Sequence, residues 1–247
     1  MKSGFILIPI LILSLIMFSC KGKSGKSEKL LNYVGGKTIS VPEPSGLDLT
    51  FDHKGFWTVS DETSTIYKLD NEGNVVKTIK IDGFDLEGIT TVNDSTIAVV
   101  LERTREVLLL DTSGNEIKRK DLGLRGKPNS GLEGITYIPE NGYFYVVNEK
   151  KPSLLIELNP QLEIIRIDTL KFSRDVSAIF YDKKNKCLWI LSDENQLVVK
   201  TDMYGKPSEK IDISVVQPEG ITIDLAGKRL YVVSDNKNAL YVYEFND

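Results

Sequence analysis

The sequence predicts an all-β fold, a five-bladed β-propeller of four-stranded blades whose last blade is closed by an N-terminal strand. A short motif recurs five times, as Pro44-Ser45-Gly46-Leu47, Leu86-Glu87-Gly88-Ile89, Leu132-Glu133-Gly134-Ile135, Val176-Ser177-Ala178-Ile179 and Pro218-Glu219-Gly220-Ile221. Its third residue falls at 46, 88, 134, 178 and 220, in steps of 42, 46, 44 and 42 residues, the length of one four-stranded propeller blade. Each unit repeats the same order of strand-like segments. The last unit lacks the fourth segment, and one spare strand lies ahead of the first repeat.

Within a unit, the motif reads as a turn opening onto a first strand, at 47–51, 89–92, 135–138, 179–181 and 221–223. These segments alternate as a strand with two different faces does. Polar turns follow, as at 52–55, 182–185 and 224–228, rich in Asp, Asn and Gly that tolerate turn geometry. The second strand is apolar and ends in an acid, at Asp61, Glu102, Glu149, Asp193 and Asp235. A third strand ends at Asp70, Asp111, Asn159 and Asp202, before turns such as Asn71-Glu72-Gly73-Asn74. A more polar fourth strand, for example 75–81, suits an outer edge. After the third strand of the last unit the spare segment 37–41 is expected to dock, which satisfies two open edges at once.

The chain carries 31 Lys plus Arg against 35 Asp plus Glu, for a net charge of −4. This mild acidic excess argues against a nucleic-acid partner. The start of the chain is different. Lys2 precedes an apolar run over 5–18 that ends at Ser19-Cys20, the pattern of a secretory signal. Leu15, Met17, Phe18 and Ser19 ahead of Cys20 resemble a bacterial lipobox, which implies a signal peptide over 1–19 and a lipidated Cys20 that holds the protein on a membrane. Residues 20–36 have a linker's composition, and the propeller is expected over 37–247. Lys21, where a retained lipoprotein carries an acid, favours the outer membrane facing the periplasm over the inner one. Cys187, on an apolar strand, reads as a buried inert thiol.

Meander strands that run outward from a propeller axis bring the turn before strand one and the end of strand two to the same face. Glu87, Glu133 and Glu219 therefore share a rim with Asp61, Glu102, Glu149, Asp193 and Asp235. Two charges about 4 Å apart repel by about 4 kcal/mol at an effective dielectric near 20. Oxygen donors without His or Cys point to calcium, with magnesium second. The other reading is that these acids cap strand ends by accepting backbone N–H groups. The same face carries Arg103, Arg105, Arg125, Lys127 and Arg174, an anion-binding or partner-binding rim unless these cations simply pair with neighbouring acids.

The Leu-Glu-Gly-Ile-Thr repeats, combined with Val-Ser-Asp strand ends behind an N-terminal anchor, resemble the SdiA-regulated (YjiK-like) propeller family over roughly residues 41–245. The resemblance implies an envelope-facing propeller, in a wider superfamily whose members bind calcium at the axis and in some cases hydrolyse lactones or phosphoesters. It implies Glu87, Glu133 and Glu219 as axial carboxylates, with Asp61, Glu149, Asp193 and Asp235 as a second set. Ser45 and Ser177 replace glutamate in two units, so the axial ring is incomplete.

Two functional readings remain. One is a lipid-anchored module that binds a small anionic ligand or an envelope protein. The other is a calcium-dependent hydrolase in which a rim carboxylate serves as base. Nucleophile-and-base chemistry is disfavoured, because His53 is the one histidine, its turn belongs to the opposite face, and no Gly-x-Ser-x-Gly turn occurs.

Overall fold

The computed structural model describes Met1 and residues 30–246. Residues 2–29, which hold the rest of the expected signal segment, Cys20 and most of the expected linker, lie outside the described residues, as does Asp247. The first strand, β1 (Leu31–Thr38), stands apart from those that follow it. Blade one is β2 (Pro44–Leu49), β3 (Gly55–Ser60), β4 (Thr65–Asp70) and β5 (Val75–Lys80). Blade two is β6 (Leu86–Thr91), β7 (Thr96–Leu101), β8 (Glu106–Asp111) and β9 (Glu116–Asp121). Blade three is β10 (Leu132–Ile138), β11 (Tyr143–Asn148), β12 (Leu154–Leu158) and β13 (Ile164–Thr169). Blade four is β14 (Ala178–Asp182), β15 (Cys187–Ser192), β16 (Leu197–Thr201) and β17 (Pro207–Asp212). Blade five is β18 (Pro218–Asp224), β19 (Arg229–Ser234) and β20 (Ala239–Phe245), completed by β1 on its outer edge. Every sheet is antiparallel and four-stranded, four of them as simple meanders and the fifth closed by β1, so the five-bladed propeller stands as predicted.

The closing strand differs from the expected one. It is Leu31–Thr38 and not 37–41, so it begins inside the segment assigned to linker. Seven register pairs join it to β20, from Leu31 opposite Phe245 to Thr38 opposite Ala239. Leu31 is buried, and the Tyr33 ring packs 5.5 Å from that of Tyr243. Ile39 and Val41, whose apolar character pointed to a strand, instead enter the core between blades five and one.

A second difference concerns the repeated motif. In four blades it is the start of strand one and not a turn ahead of it, and there it contains a register shift, as between Ser45 and Leu47 or Pro218 and Gly220, whereas in blade four the strand begins only at Ala178. A β-bulge re-aims the side chain beside it, which explains why glutamate, a poor turn residue, stands there.

Five apolar clusters fill the five gaps between neighbouring blades. Between blades one and two, for example, Trp57, Val59 and Ile66 meet Leu86, Ile97 and Leu108. Ile66, Leu86 and Ile97 are wholly buried, and each such side chain contributes about 1.5–3 kcal/mol. At the axis the first strands touch directly. A Cβ on Gly88 would lie 2.7 Å from the Glu133 carbonyl oxygen, and one on Gly134 would lie 2.9 Å from Ala178 Cα. Glycine is required there by proximity, and the resulting waist divides the axis into two ends.

Candidate functional site

Strand one begins and strand two ends at the same end of the axis. There Glu87, Glu133 and Glu219 meet Asp61, Glu149, Asp193 and Asp235 around a pit of about 120 Å³. Ser45 and Ser177 line it too, at the two places where glutamate is missing, together with Asp175. The pit therefore brings together the seven acids that the family resemblance implied as its two carboxylate sets.

Backbone bonds fix the strand-two acids. The N–H groups of Glu102, Glu149 and Asp235 donate to the carbonyls of Asp85, Gly131 and Gln217, at 2.9, 2.8 and 3.1 Å. The serines reach the next blade: Ser45 Oγ donates to Glu87 Oε2 at 2.7 Å, and Ser177 Oγ donates to the Pro218 carbonyl at 2.7 Å. Capping accounts for part of the acidic set. Asp175 accepts the Ser192 hydroxyl at 2.7 Å and the N–H groups of Asp193 and Glu194 at 3.0 Å, while Glu102 Oε1 accepts Gly131 N–H at 3.1 Å. The carboxyl groups of Glu133 and Glu219 accept no hydrogen bond from any described residue.

Burial pushes the carboxyl groups of Glu87, Glu133 and Glu219 well above the ordinary glutamate range, and neighbouring acids push them further. Burial also raises Asp61, to about 6, and it raises Glu102, Glu149, Asp193 and Asp235. Lys150 pairs with Glu149 at the edge of the pit. Glu102, Glu133 and Glu149 place carboxylate oxygens within 4.8 Å of one another. An all-oxygen set of this kind, largely out of water, fits a hard divalent cation, calcium above zinc.

Two members of the cluster were not in the predicted metal set. Glu102 stands in register with the other strand-two ends, but it follows Leu101 where the others follow Ser or Asn. Asp175 lies three residues before Ala178, a position where Glu43 and Asp85 also carry acids in their own units, and that recurrence was the available signal.

The basic rim is thinner than expected. Arg103 is spent in an ion pair with Asp85. Arg105 is buried, and its guanidinium donates to the carbonyls of Arg103, Lys127 and Ser130 at 3.3, 2.6 and 3.3 Å. It pins the 122–130 connection and offers nothing to a ligand, which corrects its assignment to the rim. Arg125, Lys127 and Arg174 are exposed. His53 lines the opposite mouth of the axis, and burial pushes the Cys187 thiol up to about 11.

A model of the SdiA-regulated family matches residues 36–244. Among solved structures, the chain is similar to a Myxococcus xanthus glutaminyl cyclase, with a TM-score of 0.68 and 12% identity over 88% of this chain and 97% of that one. It is also similar to a chain of a nidogen/laminin complex, with a TM-score of 0.58 and 17% identity over 81% of this chain and 74% of the other. A chain of Kuenenia stuttgartiensis hydrazine synthase matches with a TM-score of 0.54 and 16% identity, over 81% of this chain and 58% of that one. At these identities the likeness is one of fold.

Proposed function

The chain belongs to the SdiA-regulated family, and from that premise we propose that its propeller is a calcium-dependent binding module, held at the bacterial cell envelope by a lipid on Cys20. The observation that carries the reading is the pit. Eight carboxylates line it, and Lys150 is the one ammonium paired with any of them among the described residues. Left as they are, these groups relieve their repulsion by holding protons. A divalent cation offers the same relief at neutral pH, with Glu133 and Glu219 free to serve it and with Glu102 and Glu149 beside Glu133.

Calcium bound there supplies positive charge at the mouth of the pit. Arg125, Lys127 and Arg174, in loops expected at this face, are exposed, so the complementary ligand is an anionic group, on a small molecule or on an envelope protein. The apolar run before Cys20 supports the anchor, and Lys21 supports the outer membrane facing the periplasm. A hydrolase on this face would work without a histidine, since His53 lies at the other mouth.

Calorimetry on the chelated protein tests the reading. Calcium is expected to bind, and inorganic phosphate to bind the calcium-loaded protein more tightly than the chelated one, with that gain lost in Arg125→Glu. Turnover of lactones or phosphoesters that is abolished by Glu133→Gln would replace the binding reading with the hydrolase.

A further inference from the structure

Beyond the glycine waist, the axis opens at its other end into a cavity of about 780 Å³, within the size range of small-molecule sites. Its walls carry Phe51, Tyr137, Phe180, Tyr181 and Leu225, and Asp48 lies on its floor. The repeat explains the floor. Two residues beyond the third position of each motif stand Asp48, Thr90, Thr136, Phe180 and Thr222, a ring in which one blade supplies a carboxylate and three supply threonine.

Asp48 is held firmly. Its Oδ1 accepts Leu49 N–H at 2.8 Å and the Thr222 hydroxyl at 3.0 Å, and its Oδ2 accepts the Thr90 hydroxyl at 3.0 Å and Thr91 N–H at 2.8 Å. These four donors fix the carboxylate but carry no charge. Among the described residues no Lys or Arg pairs with it. Burial raises its pKa in spite of the four bonds, as expected for a negative charge lacking a counter-ion. The cations that line the cavity, Lys183 and Lys184, are exposed at its rim with His53, where solvent and salt screen them. Phe51, beside them, leaves 59% of its surface open.

An aromatic-walled cavity over an unpaired carboxylate has the chemistry of an ammonium site, because ring faces and the carboxylate attract the same charge. We propose that this cavity binds a small organic cation with an apolar or aromatic body, its ammonium end at Asp48 and its body against Phe180, Tyr137 and Tyr181. An anionic ligand would have to stay at the lysines of the rim and leave the floor unused. The waist keeps this site apart from the acidic pit, so the proposal does not depend on calcium.

The test is calorimetric titration of the full chain with benzyltrimethylammonium, benzyl alcohol and phenylacetate. The cation is expected to bind on the order of tenfold more tightly than either of the others, and Phe180→Ala to weaken it by a similar factor. In Asp48→Asn the preference over benzyl alcohol should disappear. Since that change also disturbs four hydrogen bonds, Phe180→Ala is the variant that decides. Failure of the cation to bind, equal or tighter binding of phenylacetate, or cation binding that survives Phe180→Ala because the ligand sits in the acidic pit would each overturn the proposal.

Discussion

At Gly134 the backbones of neighbouring blades leave no room for a methyl group. A Cβ there would sit 2.9 Å from both Ala178 Cα and Ile179 N, atoms that move only with their strand. Gly134→Ala is expected to cost about 1–3 kcal/mol in chemical denaturation, as overpacked sites do. Gly35→Ala, where nothing lies within 4 Å, should leave stability nearly unchanged. Equal effects at the two positions would contradict the close approach at the axis. Glu87, Glu133 and Glu219 were legible because a residue repeated in register around a ring converges on its axis, and their unsuitability for a turn was the trace of a bulge. Arg105 was not legible, because a buried guanidinium that serves three carbonyls has the same sequence signature as an exposed one.

The strands were legible from alternation and from their turns. Asp70 accepts the N–H groups of Glu72 and Asn74 at 2.9 and 2.8 Å, and Asp111, Asn159 and Asp202 do the same work in the next three blades. The closing strand was legible in role and not in position. Gly35, Gly36 and the mostly exposed side chains of β1 look like linker, because an outer edge strand buries little beyond Leu31. What holds it is the ladder to β20 and the packing of Tyr33 on Tyr241 and Tyr243. Removal of the chain through Thr38 exposes the β20 edge together with those tyrosines. The truncated protein should melt earlier and self-associate in light scattering. A monomer of unchanged melting temperature would show that β1 does not close the ring.

The whole molecule has two unlike ends. The carboxylate pit lies on one side of the waist and the aromatic cavity on the other. The chain enters at the cavity side: Asn246 N–H donates to the Leu30 carbonyl, and Phe245 N–H to that of Lys228, in the turn whose residues Asp224, Leu225 and Ala226 line the cavity.

The pit sets the response to pH. For an acid whose folded pKa is raised, the folded state binds more protons than the unfolded state between the two values, so stability falls as pH rises through that window. For Asp61 the window runs from 3.8 to about 6, and the buried glutamates act in the same direction. Calcium bound in the pit, as proposed, would compete with those protons, so its stabilisation is expected to grow with pH. Thermal unfolding of the chelated protein at pH 5 and pH 7.5, with and without calcium, tests this most directly. At pH 7.5 and calcium one hundred times its dissociation constant, the melting temperature should rise by roughly 5–10 °C. The rise should be smaller at pH 5 and largely lost in Glu133→Gln. No shift at either pH would contradict the metal site and leave the acids as strand-end caps that fold protonated.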